Sequence, residues 1–234
     1  MQFFDKLFGK KLSQVKLSTV DYNRYFDKKE IDDTPLEFLS LGELFVPSGE
    51  IIVCDPLAGY FHTKSLTKIV KPGRYPVTIS VAKTKNSGER YAIAKLEFSK
   101  DKATRWELAL IEGQDIKSLR KKDEFFGFPV DAGLGCFMDA KTKYFYNEFD
   151  DEFMKDHPGG NIYDDLFAAE FKKNAKDQND THDIGDWLNF HLPNKPDMNV
   201  IMFHSGYGDG VYPSYWGVTD GGDICSLIID FMVL

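Results

Sequence analysis

The sequence predicts an α+β fold made mainly of antiparallel β-sheet, sandwich-like or strongly curled, with a few short helices. Several short segments alternate apolar and polar residues, which is the two-residue period of a strand with one buried face. Glycine- and proline-containing turns separate these segments. The 234 residues include 20 Phe and 11 Tyr, and such wide aromatic side chains favour cores formed by sheets.

The clearest strands form a hairpin. Residues 75–82 and 90–98 alternate apolar and polar side chains, and the turn residues 86–89 separate them. Residues 104–111 continue the pattern, so we expect a third strand in the same meander. The apolar run 50–54 predicts a short buried strand.

The second half of the chain is less regular. Residues 125–146 are aromatic and apolar around a glycine-rich turn, which predicts two strands. Residues 161–171 repeat apolar side chains at three- and four-residue steps, which predicts a helix. The apolar runs 199–204 and 223–233 predict central strands, and with residues 212–217 between them they would form a C-terminal meander.

The chain is predicted to divide into an N-terminal appendage and one domain. Residues 1–33 are polar after a short segment that places four apolar residues on one helical face, and we expect a helical and polar appendage there. Residues 34–234 contain neither a linker nor a repeat and are expected to form a single β-rich domain. No run of 18 apolar residues occurs, so no membrane span is expected.

Charge and cysteine content narrow the classes of function. The net charge of -8 and the pI near 5.2 argue against nucleic-acid binding, which needs a positive surface. Residues 139–186 hold 13 acidic and 6 basic side chains, nearly the whole excess. This acidic sector is either a solvated face or a surface for a basic partner. Three scattered cysteines fit reduced thiols and a cytoplasmic location.

Two glycine-rich segments carry the candidate site residues. Residues 131–139 bracket two glycines with Asp131 and Asp139, and residues 204–212 begin with His204 and contain Asp209. Carboxylates and main-chain N–H groups in such turns can hold a cation or an anion. The alternative is that the glycines only serve tight turns in which each Asp accepts nearby main-chain hydrogen bonds, and we favour it.

Three functional hypotheses follow, and the sequence assigns neither a cofactor nor a set of metal ligands to any of them. The first is an acidic protein-interaction module, such as the neutralising partner of a basic toxin in a bacterial conflict system. The second is a metal-assisted hydrolase or phosphoesterase that uses the three aspartates and the histidine named above. The third is a small-ligand or carbohydrate binder in which Tyr207, Tyr212 and Trp216 form a stacking surface.

The two glycine-rich segments together resemble a family of uncharacterised bacterial proteins known as a domain of unknown function. The resemblance is carried by D-A-G-L-G-C-F-M-D at residues 131–139 and S-G-Y-G-D-G-V-Y-P-S-Y-W-G at residues 205–217. Residues 49–56 and 72–77 are also similar, so the resemblance extends from about Gly49 to Phe231. It implies one cytoplasmic bacterial domain and transfers no activity to any residue.

Overall fold

A computed structural model describes residues 15–234; the predicted N-terminal apolar helix face lies outside these residues. Twelve strands and three α-helices are found in the described part of the chain. The strands are β1 (Glu30–Ile31), β2 (Thr34–Val46), β3 (Ile51–Cys54), β4 (Gly73–Thr84), β5 (Gly88–Glu97), β6 (Arg105–Leu108), β7 (Gly127–Val130), β8 (Leu134–Asp139), β9 (Trp187–Leu192), β10 (Lys195–His204), β11 (Gly210–Val218) and β12 (Ile224–Asp230). The helices are α1 (Arg24–Asp27), α2 (Ala140–Asp156) and α3 (Ala168–Lys172), and a π-helical turn (Tyr163–Phe167) leads into α3.

The strands form two antiparallel sheets. The large sheet has the order β1-β2-β4-β5-β12-β11-β6, and β7 pairs with β11 as well. The small sheet has the order β3-β8-β10-β9. The expected class, mainly antiparallel sheet with few short helices, is confirmed.

Three apolar clusters arrange the elements in layers. One cluster joins the facing sides of the two sheets and includes Phe137, Phe203, Trp216 and Leu227. The opposite side of the small sheet packs on α2, the π-helical turn and α3. A third cluster lies between the outer side of the large sheet and α1. The small sheet is therefore buried on both faces.

The predicted hairpin, now β4 and β5, and the predicted buried strand, now β3, are confirmed. The prediction that residues 104–111 add a third strand next to this hairpin is wrong. β4 and β5 pair antiparallel through a turn at residues 85–87, and β3 is buried throughout. β6 does not pair with β5. The C-terminal strand β12 occupies that edge of β5, and β6 pairs with β11 instead.

The two strands expected around the glycine-rich turn are present as β7 and β8, but the C-terminal meander is wrong in its first pairing, and in both places the chain changes sheets. β7 and β8 are adjacent in sequence, yet β7 belongs to the large sheet and β8 to the small one. Likewise β11 and β12 pair as expected, but β10 pairs with β8 and β9. The aromatic segment after Asp139 is helical rather than extended.

Helix α2 forms because its apolar residues follow the helical period. Thr142 and Tyr146 are buried against the small sheet, and Phe149 and Phe153 continue the same face. Asp139 caps the helix, since its carboxylate accepts a hydrogen bond from the Lys141 N–H at 2.8 Å. The expected helix at residues 161–171 is confirmed as the π-helical turn followed by α3.

A pair of asparagines joins the two sheets. Asn199 on β10 is fully buried, and its amide nitrogen donates to the Glu43 carbonyl at 2.9 Å and to the Asn189 side-chain oxygen at 2.7 Å. Its amide oxygen accepts from the Phe45 N–H at 2.9 Å. These bonds satisfy main-chain groups of β2 that face away from β4.

The bulge in β2 fits this polar contact. The register of β2 against β4 shifts between Ser40 and Gly42, and Gly42 has a φ of +91°. A Cβ atom there would lie 2.9 Å from the Asn189 side-chain nitrogen. Glycine is therefore required both by the backbone angle and by the close approach of Asn189.

Replacing Asn199 with Leu should destabilise the protein by roughly 3 kcal/mol, because buried polar groups left unpaired cost about 1–3 kcal/mol each. Urea unfolding monitored by tryptophan fluorescence measures the free energy of unfolding. Asn179→Leu, in an exposed loop, is the control and should change it little. Equal stability of both variants would contradict the structural role of Asn199.

The described end of the predicted appendage packs on the large sheet. Residues 16–18 run along β6: the Ser18 N–H donates to the Trp106 carbonyl at 2.9 Å, and the Tyr22 hydroxyl donates to Asp230 at 2.7 Å. Tyr22 and Tyr25 are buried. The boundary at residue 33 stays a prediction.

Glu107 on β6 is a buried carboxylate between two cations. It forms salt bridges with Lys68 and with Arg105, the latter at 2.8 Å. Burial alone would raise the pKa of Glu107, but the hydrogen bonds from Lys68 and Arg105 outweigh it and hold the pKa below its ordinary value. The ion pairs therefore stabilise the fold above the pKa of the unfolded state, and this stabilisation is lost as the pH falls through the folded-state pKa.

Glu107→Gln should lower the free energy of unfolding at pH 7 by roughly 1–2 kcal/mol, since the charge-assisted bonds are weakened. It should also flatten the fall in stability at acid pH, below the ordinary glutamate pKa of 4.5, because only the wild-type carboxylate takes up a proton there. Urea titrations across this range measure both effects. An unchanged pH profile in the variant would show that Glu107 does not contribute to it.

Candidate functional site

The two aspartates of residues 131–139 have different surroundings. Asp139 is fully buried, and it accepts hydrogen bonds from the Ser48 N–H at 2.9 Å and the Ser48 hydroxyl at 2.7 Å, besides capping α2. Asp131 is exposed on the β7–β8 turn. All the contacts of the Asp139 carboxylate are thus to protein groups that a turn and a helix start must satisfy.

Asp55, which is not among the residues predicted from the sequence, is the carboxylate that holds this turn in place. Asp55 is buried; one of its oxygens accepts from the main-chain N–H groups of Asp131 and Ala132, at 3.0 and 2.7 Å. The other oxygen accepts from Leu57 and Ala58. Its position directly after the buried strand 51–54 and before a proline was the available signal.

Of the four residues of the hydrolase hypothesis, Asp139 lies apart from the other three. The turns that carry Asp131 and Asp209 are adjacent, since the Ser205 N–H donates to the Gly133 carbonyl at 3.1 Å and Gly210 pairs with Val130. His204 pairs with Leu134 at one end of β8, whereas Asp139 lies five residues further along, roughly 17 Å away at the rise of a β-strand. His204 instead contacts Asp186, with 3.1 Å between Nδ1 and the carboxylate. Asp209 is exposed in the β10–β11 turn. Residues 15–234 contain no group of three potential metal-binding side chains.

The glycines of residues 204–212 serve the turn itself. The Ser205 hydroxyl and the Tyr212 hydroxyl both donate to the Gly208 carbonyl at 2.8 Å. Gly206 and Gly208 have positive φ, which glycine adopts without strain. The hydrogen bonds of these two side chains are therefore made within the turn itself.

The predicted stacking surface is largely in the core. Trp216 is fully buried and Tyr212 nearly so, both between the two sheets. Tyr207 alone is exposed, and the guanidinium of Arg90 lies 5.7 Å from its ring centroid. Two of the three rings therefore have no face available to a carbohydrate.

The acidic sector forms the outer surface of the helical layer. Its exposed acidic side chains make no salt bridge to any residue in the range 15–234. These residues are Glu148, Asp151, Glu152, Asp156, Asp164, Asp165, Asp177 and Asp180. Tyr144, 60% exposed, lies one turn before Glu148 on the same face of α2.

A small groove runs between α2 and the β9–β10 turn. Phe145, Phe149 and Leu192 supply apolar walls, and Glu148 and Glu152 supply carboxylates. The ammonium group of Lys195 lies 4.9 Å from the ring centroid of Phe145, so this ring already accepts a cation. We call this feature the acidic groove; its volume is about 90 Å³.

The sequence analysis located the acidic sector but missed the groove, because it assigned residues up to 146 to a strand. The signal was present: Glu148 and Glu152 are four residues apart, and so are Phe145 and Phe149. On a helix these spacings place each pair on neighbouring turns of one face. What the groove can do chemically is accept a cationic side chain with an apolar stem.

Fold and surface together define an α+β protein of two face-packed antiparallel sheets with an acidic helical layer. The chain belongs to the family described as protein of unknown function (DUF4241), whose model matches residues 44–229, from the end of β2 to the end of β12. The expected resemblance to a domain of unknown function is confirmed at this level. No curated protein and no solved structure matches the chain. Each helix within residues 15–234 is too short or too polar to cross a bilayer.

The different surroundings of Asp139 and Asp131 can be tested directly. Asp139→Asn should lower the free energy of unfolding by roughly 1–3 kcal/mol, because the amide cannot accept all three hydrogen bonds and loses the favourable charge at the start of α2. Asp131→Asn, an exposed change in the same segment, should have an effect below about 0.5 kcal/mol. Urea unfolding of the two variants measures both changes in the free energy of unfolding. A loss of stability in Asp131→Asn, with none in Asp139→Asn, would contradict the structural role of Asp139.

Proposed function

We propose that this protein is a protein-interaction module that binds a basic protein partner through the acidic groove and the surrounding acidic face of α2. The observation that carries the proposal is the groove itself, with two carboxylates beside an aromatic floor over which a lysine already lies. A lysine or arginine of a partner would gain both an ion pair and a cation–π contact there.

The acidic side chains around the groove, which form no salt bridge with any residue of the described chain, support the same partner. A surface of one charge sign speeds the diffusional encounter with an oppositely charged protein, and the effect weakens as salt increases. Tyr144 adds an exposed aromatic side chain next to Glu148, and tyrosine is enriched among residues that dominate binding energy at interfaces. The partner class is therefore a protein with a lysine- or arginine-rich face.

The neutralising partner of a basic toxin is one protein of this type, and it is the biological role we infer, in a bacterial cytoplasm. This role requires tight binding through a charged surface and no chemistry by the module itself. The hydrolase alternative receives less support, because Asp139 is engaged by Ser48 and the start of α2, at a distance from His204.

Reversing two charges in the groove should abolish partner binding selectively. The double variant Glu148→Lys with Glu152→Lys is compared with Asp220→Lys with Asp223→Lys, which makes the same charge change in the exposed β11–β12 turn. Partners are recovered from the natural source with the wild-type chain, and the affinity of the purified basic protein is then measured by calorimetry. We expect a loss of at least tenfold in the groove variant and less than threefold in the turn variant.

Salt dependence provides the second measurement. The wild-type affinity should fall as salt rises from 50 to 300 mM, and the groove variant should show a weaker dependence. Equal losses in both variants would mean that net charge, and not the groove, attracts the partner. Recovery of no basic protein at either low or moderate salt would overturn the proposed function.

A further inference from the structure

The edge of the large sheet is interrupted at one residue. β6 ends opposite Tyr215 and β7 begins opposite Pro213, so Ser214 lies at a gap between two strands that pair with the same edge of β11. Residues 109–126 leave the sheet at this gap. The Ser214 carbonyl is still paired, since it accepts from the Ala109 N–H at 2.8 Å.

A pocket lies at this gap, between the two sheets. Its volume of about 220 Å³ exceeds that of an apolar cavity of about 150 Å³ that holds benzene. Both sheets contribute to it: Val53 comes from β3 and Ser214 from β11. The remaining walls come mainly from the segment that leaves the sheet and from the start of β7, with apolar side chains Ala109, Ile111, Phe126, Phe128 and Pro129.

The chemistry of the pocket is the opposite of that of the acidic groove. Among the residues that the structure describes, neither Asp, Glu, Lys nor Arg lines it, and its polar side chains are His62, Thr63, Gln114 and Ser214. A formal charge in such surroundings would lose its hydration without gaining a partner ion. The pocket therefore selects neutral, mostly apolar molecules, and small-molecule sites commonly combine apolar walls with a few polar groups.

Ser214 supplies a hydrogen-bonding group directed into the pocket. Its side chain is on the same face of β11 as Tyr212 and Trp216, which point between the sheets. It is 5% exposed, and its hydroxyl makes no hydrogen bond to any residue in the range 15–234. In contrast to the Ser80 hydroxyl, which is sealed in the core, the Ser214 oxygen remains accessible, so a molecule in the pocket can bond to it.

Gln114 has a free donor on the same pocket. Its side-chain oxygen accepts from the Ile111 N–H at 3.0 Å, which fixes the side chain, while its amide nitrogen has no partner within the described residues. Two donors without acceptors thus line a pocket with apolar walls. A ligand that carries one carbonyl or hydroxyl oxygen would satisfy either of them.

We propose that this pocket binds a neutral, flat apolar molecule of about the size of a bicyclic aromatic, with one oxygen that hydrogen-bonds to Ser214. The site is separate from the acidic groove, and the proposal does not depend on the proposed function. The shape follows from the aromatic and proline walls, the neutrality from the uncharged lining, and the single oxygen from the unpaired Ser214 hydroxyl.

The test uses three probes with the same ring system: 2-naphthol, naphthalene and 2-naphthoate. Calorimetry at pH 7 should show that 2-naphthol binds most tightly, naphthalene more weakly and the charged 2-naphthoate at least tenfold more weakly than 2-naphthol. Ser214→Ala should weaken 2-naphthol about three- to tenfold, the range of one neutral hydrogen bond, and change naphthalene less than twofold.

Ser80→Ala is the matched control, because Ser80 is another buried serine whose hydroxyl lacks a partner within the described residues, and it does not line the pocket. It should leave the affinity for both neutral probes unchanged. Ala109→Leu, which fills the pocket, should remove binding of both. Absence of binding by every probe to the wild-type chain would overturn the proposal, and so would an equal effect of Ser214→Ala and Ser80→Ala on 2-naphthol.

Discussion

The fold depends on a small sheet that is buried on both faces. One face packs on the large sheet and the other on the helical layer. Main-chain groups at the ends of its strands are therefore shielded from water and need hydrogen-bond partners within the protein. Asp55 at the end of β3, Asp139 at the end of β8 and Asn199 within β10 each accept or donate several hydrogen bonds to main-chain groups of neighbouring segments. These three polar side chains connect the small sheet to the turns, to α2 and to the large sheet.

This constraint explains why residues with catalytic character in the sequence have structural roles in the fold. An aspartate between glycines can hold a cation or satisfy a turn, and the pattern is the same in both cases. Only the surroundings distinguish them. Asp139 has three protein donors and no exposed surface, whereas Glu148 and Glu152 face solvent on α2, in a segment without any recognisable motif.

Local features of the fold could be read from the sequence, but pairing between distant segments could not. The β4–β5 hairpin and β3 follow from alternation and turn residues, which act over a few positions. The neighbours of β11 depend on competition among distant strands: Val218 pairs with Arg105, 113 residues earlier in the chain. No local sequence pattern specifies which strand forms this pairing. Helix α2 was missed because Tyr144, Phe145 and Tyr146 favour strands by composition while their wider spacing is helical. The acidic sector was visible as a count of charges, but the groove and the pocket exist only once separate segments meet.

Two separate strands, β6 and β7, pair with the same edge of β11. The connection between them can therefore change without disturbing either pairing. β6 and β7 each have their own register on β11, so the intervening residues 109–126 do not have to keep a fixed length for either strand to find its place. Changing the length of such a surface connection costs little free energy. A chain with a longer, shorter or differently composed connection would keep the same two sheets and present a differently shaped recess between them.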